Sequence, residues 1–122
     1  MSKLSQKETL KAVIKAMDSK LAEDIQLIGI RDLTIVADYF VIANGMSNTQ
    51  TKAIADEVEF KLKQLGIEPL RTESDSTSTW VILDYGDIVV HVFYKETRDY
   101  YQLERLWSDG EKIDIEKYVT GE

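Results

Sequence analysis

The sequence predicts an α/β fold in which helices pack on one mixed sheet of five strands. Two stretches carry the apolar periodicity of amphipathic helices, and several short runs are rich in β-branched and aromatic residues, as strands are. One strand–helix–strand crossover among shorter connections requires parallel as well as antiparallel neighbours. With 122 residues, the chain has the usual size of a single domain. We assign residues 1–108 to this domain and residues 109–122 to a charged C-terminal tail.

A helix and two strands are predicted in the first third of the chain. Ser5 and Glu8 can form a capping box, and apolar residues then recur at helical spacing at Leu10, Val13, Ile14, Met17 and Leu21. Asp24–Ile30 alternates apolar and polar side chains, which predicts the first strand. Tyr39–Ala43 is aromatic and β-branched, which predicts the second strand.

A second helix and an edge strand follow. The helix starts at Ser47, which is spaced from Gln50 as in another capping box. It ends just before Gly66, a residue suited to a left-handed helix terminus, and a proline follows three positions later. Leu70–Glu73 is expected to form an edge strand. The buried stripe of the helix is expected at Ile54, Val58, Leu62 and Leu65.

Two strands and a short helix complete the predicted domain. The strands are Trp80–Asp84 and Ile88–Tyr94, and the short gap between them makes them antiparallel neighbours. The helix spans Arg98–Trp107. Alternation within the two strands separates a core face from a second face that carries Trp80, Ile82, Asp84, Asp87, Val89, His91 and Phe93.

The pairing of these two strands depends on the loop between them. A two-residue loop would place Asp84 opposite Asp87 and Trp80 opposite His91. A bulge at Gly86 would instead shift the pairing by one residue and move Trp80 away from His91.

The charge and composition exclude several classes of function. The chain has 22 acidic and 15 basic residues and a formal net charge of −7, which disfavours direct binding to nucleic acid and favours a basic protein partner. It contains no cysteine, so disulfides and thiolate chemistry are excluded. Neither an export signal nor a run of apolar residues long enough to cross a membrane is evident, so a cytoplasmic location is expected.

Two motifs contain residues that could carry chemistry, and neither supports an enzyme. The segment 45–48 opens a helix, where free amides can bind phosphate, but it lacks the lysine and spacing of a P-loop, so a plain helix cap is favoured. Asp84, Asp87 and His91 lie close in sequence, yet Asp87 and His91 are about 13 Å apart along an extended strand, too far to share one metal ion. No cofactor or metal is therefore expected.

Aromatic residues and carboxylates suggest a docking surface instead. Tyr and Trp anchor protein interfaces, although in a monomer they also close cores, and both interpretations stay open for the cluster that runs from Tyr94 to Trp107. In an acidic chain without a catalytic set, the combination of Trp80, Asp84, Tyr85 and Trp107 is more typical of a docking surface than of an active site.

A resemblance to a known family rests on several motifs between Leu10 and Trp107, in the right order. They are Ala37-Asp38-Tyr39-Phe40-Val41-Ile42, Gly45-x-Ser47, Ile54-Ala55-Asp56-Glu57-Val58, Pro69-Leu70-Arg71, Trp80-x-x-Leu83-Asp84-Tyr85-Gly86-Asp87, Val89-Val90-His91-Val92-Phe93 and Tyr101-x-Leu103-Glu104-Arg105-Leu106-Trp107. Together they closely resemble the ribosomal silencing factor (RsfS, or Iojap-like) family. The chain departs from the family pattern at residues 73–79, where glycines are usual.

The resemblance implies a nucleotidyltransferase-like fold without catalytic carboxylates, in agreement with the absence of an Asp-x-Asp motif. It further implies a homodimer when free, which binds protein fourteen of the large ribosomal subunit, prevents the small subunit from joining and so represses translation. The residues expected to bind this partner are Trp80, Asp84, Tyr85, Asp87, His91, Glu104 and Trp107. A role in large-subunit assembly and a residual nucleotidyltransferase activity are the alternatives.

Overall fold

One mixed sheet with helices on both faces organises the chain in the computed structural model, which describes residues 5–120. In chain order the elements are α1 (Gln6–Ser19), β1 (Glu23–Gly29), β2 (Tyr39–Gly45), α2 (Asn48–Gln64), β3 (Arg71–Ser74), β4 (Trp80–Asp84), β5 (Ile88–Tyr94), α3 (Lys95–Tyr101), α4 (Leu103–Leu106), β6 (Glu111–Ile113) and α5 (Glu116–Thr120).

The strand order across the sheet is β3-β4-β5-β2-β1-β6. Strands β2 and β5 are parallel, from Tyr39 opposite Ile88 to Gly45 opposite Tyr94, and the other neighbouring pairs are antiparallel. The crossover from β2 through α2 to the second half of the sheet creates this parallel pair. The predicted mixed sheet is therefore confirmed.

The predicted number of strands is wrong, because the sheet has six strands rather than five. The additional strand, β6, lies in the segment expected to be a charged tail and pairs with β1, with Ile113 opposite Leu27. Two of its three residues are charged, so no apolar pattern in the sequence predicts this strand. A close approach at Gly110 allows the pairing, since a Cβ there would lie 2.6 Å from Cγ2 of Ile28.

The predicted helix termini are largely confirmed. Ser5 and Glu8 form the capping box of α1. The hydroxyl of Ser47 accepts a hydrogen bond from the Gln50 amide, although the Gln50 side chain then bonds to another backbone amide. Two expected core residues are wrong: Leu21 lies beyond the end of α1, and Leu65 is the C-cap of α2, so both side chains are exposed.

The hairpin register differs from the prediction by two residues. The amide of Tyr85 donates to the carbonyl of Ile88, so the two-residue loop consists of Gly86 and Asp87. The predicted loop consisted of Tyr85 and Gly86. Gly86 has a φ of +93°, the conformation that glycine provides at the first position of such a loop. Trp80 therefore lies opposite Phe93 and Asp84 opposite Val89. Because the shift is even, the predicted division into two faces is kept.

The two faces of the sheet are covered unequally. Helices α1 and α2 cover one face and enclose the larger core, which includes Val41, Val90 and Leu62. The second face has a smaller core around Phe40 and Phe93. It is covered by a helix that was predicted to be continuous but is broken into α3 and α4 at Gln102, whose φ is +48°.

Candidate functional site

The second face of the sheet stays partly open where it is formed by β4 and β5. Leu103 and Trp107 of the α3–α4 segment join the core of this face, and Trp80 and Ile82 of β4 pack against the same core but stay partly exposed. We define the open face as the partly or largely exposed residues of this region, which are Trp80, Ile82, Asp84, Tyr101 and Trp107. The buried residues Phe40, Val89, His91 and Phe93 form its floor.

Aromatic rings join the open face into one continuous surface. Trp107 contacts Phe40 edge-on at 5.2 Å between ring centroids, and Phe40 contacts His91 at 4.9 Å. The indole of Trp80 lies 4.7 Å from Phe93 and 4.9 Å from Tyr101. Trp80 is thus supported from below and from the side while its remaining surface stays accessible, the environment of an interface anchor.

His91 supports Trp80 by a hydrogen bond. The indole N–H of Trp80 donates to Nδ1 of His91 over 3.2 Å. The His91 side chain is 6 % exposed, and burial lowers its pKa to about 4, against the opposing influence of the Asp84 carboxylate. His91 is therefore neutral at pH 7. Because Nδ1 accepts, the proton of the neutral ring resides on Nε2.

An acidic groove borders Trp80. Its volume is about 420 Å³, and its lining contains two carboxylates and no basic side chain: Glu73, Ser74, Asp75, Thr79, Trp80, Ile82, Thr97 and Tyr101. The Asp75 carboxylate accepts hydrogen bonds from the hydroxyls of Thr77 and Thr79 and from the Thr79 amide. These bonds lower the pKa of Asp75 and keep it ionised. The loop at residues 73–79, which departs from the family pattern, is thus organised by hydrogen bonds to the Asp75 carboxylate.

The rim of the open face carries further charge. Asp84 accepts hydrogen bonds from Nε of Arg71 on the neighbouring edge strand, at 3.3 Å, and from the Gly86 amide. Asp87 lies in the exposed turn beyond the strand end, where Gln6 donates to its carboxylate. The open face therefore combines apolar aromatic area with carboxylates at its margin.

The structure brings four of the seven predicted site residues together on this face: Trp80, Asp84, His91 and Trp107. The Tyr85 ring packs against the core of the opposite face, and burial raises the pKa of its hydroxyl. Glu104 accepts a hydrogen bond from Nε of the buried Arg98 at 3.2 Å, and its own side chain is 24 % exposed. Whether any of the seven contacts a partner stays a prediction.

Sequence reasoning missed Arg98, which is 3 % exposed. Its guanidinium donates to the backbone carbonyl of Asp24 at 2.8 Å and to the side-chain oxygen of Asn44 at 2.9 Å, so it anchors α3 to β1 and β2. It also missed Phe40, whose neighbours are all apolar, so no alternation marks its face. Phe40 is assigned to this face by the parallel pairing of β2 with β5, which places it beside Val89.

Among residues 5–120, no group of three or more histidine and acidic side chains could hold a metal ion. No helix in the same range is both long and apolar enough to cross a membrane.

Comparisons with known proteins identify close relatives. A family model described as "Ribosomal silencing factor during starvation" matches residues 3–122. The chain is 42 % identical over 113 residues to ribosomal silencing factor RsfS of Bacillus subtilis, covering 93 % of this chain and 96 % of that protein. It is 38 % identical over 117 residues to the Halalkalibacterium halodurans protein of the same name, covering 96 % of this chain and 100 % of that protein.

A solved structure and a more distant relative complete the comparison. The crystal structure of a Chromobacterium violaceum protein matches with a TM-score of 0.83 and 36 % identity, covering 91 % of this chain and 92 % of that one. A mouse protein named "Mitochondrial assembly of ribosomal large subunit protein 1" is 28 % identical over 99 residues, covering 79 % of this chain and 43 % of that protein.

Proposed function

Because the chain belongs to the ribosomal silencing factor family, we propose that it represses translation by binding the large ribosomal subunit through the open face. Bound there, it prevents the small subunit from joining. The direct partner is the basic large-subunit protein fourteen. Occlusion of this kind needs affinity and bulk but no catalytic group, so the proposed activity is regulatory.

The observation that carries this proposal is the partly exposed Trp80 beside an acidic groove. An aromatic anchor fixed by surrounding rings loses little conformational freedom on binding, which favours affinity. The carboxylates of Glu73, Asp75 and Asp84 lie at its margin, in a chain of net charge −7. Such a surface complements a basic protein and speeds the encounter with it.

The geometry favours different roles for the seven predicted residues. Trp80 and Trp107 supply apolar contact area, and Asp84 and Asp87 supply charge at the rim. Tyr85 and His91 pack within the protein and support the fold or the face, and Glu104 is paired with the buried Arg98. We further propose that the protein is cytoplasmic and forms a homodimer when free.

Two other functions make different predictions. The name of the mouse relative favours a role in large-subunit assembly, which would use the same face at an earlier stage, while the subunit matures. A nucleotidyltransferase-like ancestry would leave a nucleotide site near Ser47. The Ser47 hydroxyl accepts from the Gln50 amide as a helix cap, which favours a structural role. Calorimetric titration with nucleoside triphosphates and Mg²⁺ should give no binding heat.

The proposal is tested by co-sedimentation with isolated large subunits and by a subunit-joining assay. We expect the wild-type protein to co-sediment and to inhibit joining, and Trp80→Ala with Asp84→Lys to abolish both effects. Phe60→Ala is the matched control, because Phe60 is an exposed aromatic residue on α2, on the other side of the sheet. Full inhibition by the double variant would refute the site, and absence of wild-type binding would refute the function.

A further inference from the structure

We propose that His91 is a positioning residue of the open face, which fixes the indole of Trp80 and turns its N–H group inward so that a partner meets only the carbon surface of the ring. This inference deepens the proposed function and rests on it. It assigns to His91 a role that differs from direct contact with the partner.

The geometry of the pair supports a fixed orientation. Trp80 lies on β4 opposite Phe93, and His91 lies two residues before Phe93, so the indole reaches diagonally across the strand pair. The hydrogen bond spans 3.2 Å between Nε1 of Trp80 and Nδ1 of His91. With the ring of Phe93 at 4.7 Å and that of Tyr101 at 4.9 Å between centroids, the indole is restrained by three different side chains.

The imidazole is itself held firmly. Phe40 meets it edge-on at 4.9 Å between centroids, and Phe93 stacks on it at 6.3 Å with an interplanar angle of 14°. Its direct neighbours across the sheet are Ile42 on β2 and Ile82 on β4. A side chain packed in this way cannot follow the indole if the indole rotates. The hydrogen bond therefore transfers the rigidity of the sheet to Trp80.

The chemistry of the imidazole also indicates an acceptor role. Nε2 of His91 is buried and has no hydrogen-bond partner among the described residues. An unpaired buried donor destabilises a protein, and a phenylalanine would fill this site without it. What histidine adds here is the lone pair of Nδ1, which accepts the hydrogen bond from the indole of Trp80.

The orientation has a consequence for recognition. The indole N–H is the only polar group of tryptophan, and here it is bonded internally. Trp80 therefore offers no hydrogen-bond donor to a partner. It offers an apolar surface with a negative π face, which suits an aliphatic side chain or the guanidinium of an arginine. The neighbouring carboxylates of Glu73 and Asp75 favour the cationic choice.

Two variants of the full chain separate positioning from packing. His91→Phe keeps an aromatic ring but removes the acceptor, whereas His91→Asn restores an acceptor close to the Nδ1 position. In ¹H–¹⁵N spectra, we expect the Trp80 indole resonance of His91→Phe to move upfield and exchange faster with solvent, and that of His91→Asn to stay close to wild type. Dissociation from isolated large subunits should become about 3- to 10-fold faster in His91→Phe, the loss expected for one neutral hydrogen bond.

Several results would overturn the inference. One is a folded His91→Phe variant with an unchanged indole resonance and unchanged dissociation, and another is a folded His91→Asn variant that behaves like His91→Phe. A third measurement needs no variant: a long-range ¹H–¹⁵N spectrum of the wild-type protein should show the proton of His91 on Nε2, and a proton on Nδ1 would contradict the inference. If wild-type protein fails to bind large subunits, the proposed function fails, while the spectra still test the positioning role.

Discussion

The buried imidazole of His91 should make the protein lose stability in mild acid. Burial lowers the pKa of His91 in the folded protein to about 4, from an ordinary value of 6.5. Between these two values the unfolded chain binds a proton at His91 that the folded chain does not bind. The stability contributed by the neutral imidazole is therefore complete above pH 6.5 and is lost as the pH falls through 4.

The magnitude follows from the distance between the two pKa values. At about 1.4 kcal/mol for each pH unit, the gap between 6.5 and about 4 corresponds to about 3 kcal/mol of unfolding free energy. Total stabilities of small domains are about 5–15 kcal/mol, so this loss is large. Solvent does not screen it appreciably, because the His91 side chain is 6 % exposed.

Urea unfolding at several pH values between 8 and 4 measures this loss, with His91→Asn as the control. Many carboxylates also titrate in acid, but they do so in both proteins, so the difference between the two unfolding free energies isolates His91. We expect the wild type to lose about 3 kcal/mol more than His91→Asn between pH 7 and pH 4. Parallel pH profiles for the two proteins would refute the assignment of a buried, neutral imidazole.

Three substitutions test other parts of the structure by chemical denaturation. Arg98→Met should cost about 3–5 kcal/mol, because it leaves Glu104 and two strand carbonyls without their buried partner, and a loss below about 1 kcal/mol would contradict that role. Gly45→Ala should cost about 1–3 kcal/mol, since its Cβ would lie 2.9 Å from the Thr51 amide nitrogen; an unchanged midpoint would show that α2 adjusts freely. Tyr85→Phe should gain about 1 kcal/mol by removing a buried hydroxyl that has no hydrogen-bond partner among residues 5–120, and a clear loss would contradict that environment.

Local patterns were sufficient to predict most of the fold. The capping box at Ser5 and the glycine after α2 mark helix termini through short-range hydrogen bonds, which the sequence determines directly. The two faces of the hairpin were also predictable, because side chains alternate whatever the register. The register itself was not, since it depends on which residue adopts the left-handed conformation, and here that is Gly86.

Long-range contacts account for the features of the fold that local sequence patterns did not predict. Strand β6 forms because β1 offers a free edge, and its own three residues carry no strand pattern. Arg98 is buried because α3 folds back over β1 and β2, so its partners lie 54 or more positions away, apart from Glu104. Glu104 illustrates the same limit, because a carboxylate that looks available in the sequence is paired with Arg98 in the structure.

Site-specific photocrosslinking from the open face tests the proposed docking most directly. Tyr101 is half exposed beside Trp80, so a benzoylphenylalanine at this position would lie against any bound partner. The proposal predicts a crosslink to a basic protein of the isolated large subunit from position 101 and none from position 60 on the opposite side. A protein that co-sediments with the subunit but crosslinks only from position 60 would show that it binds the ribosome through another surface.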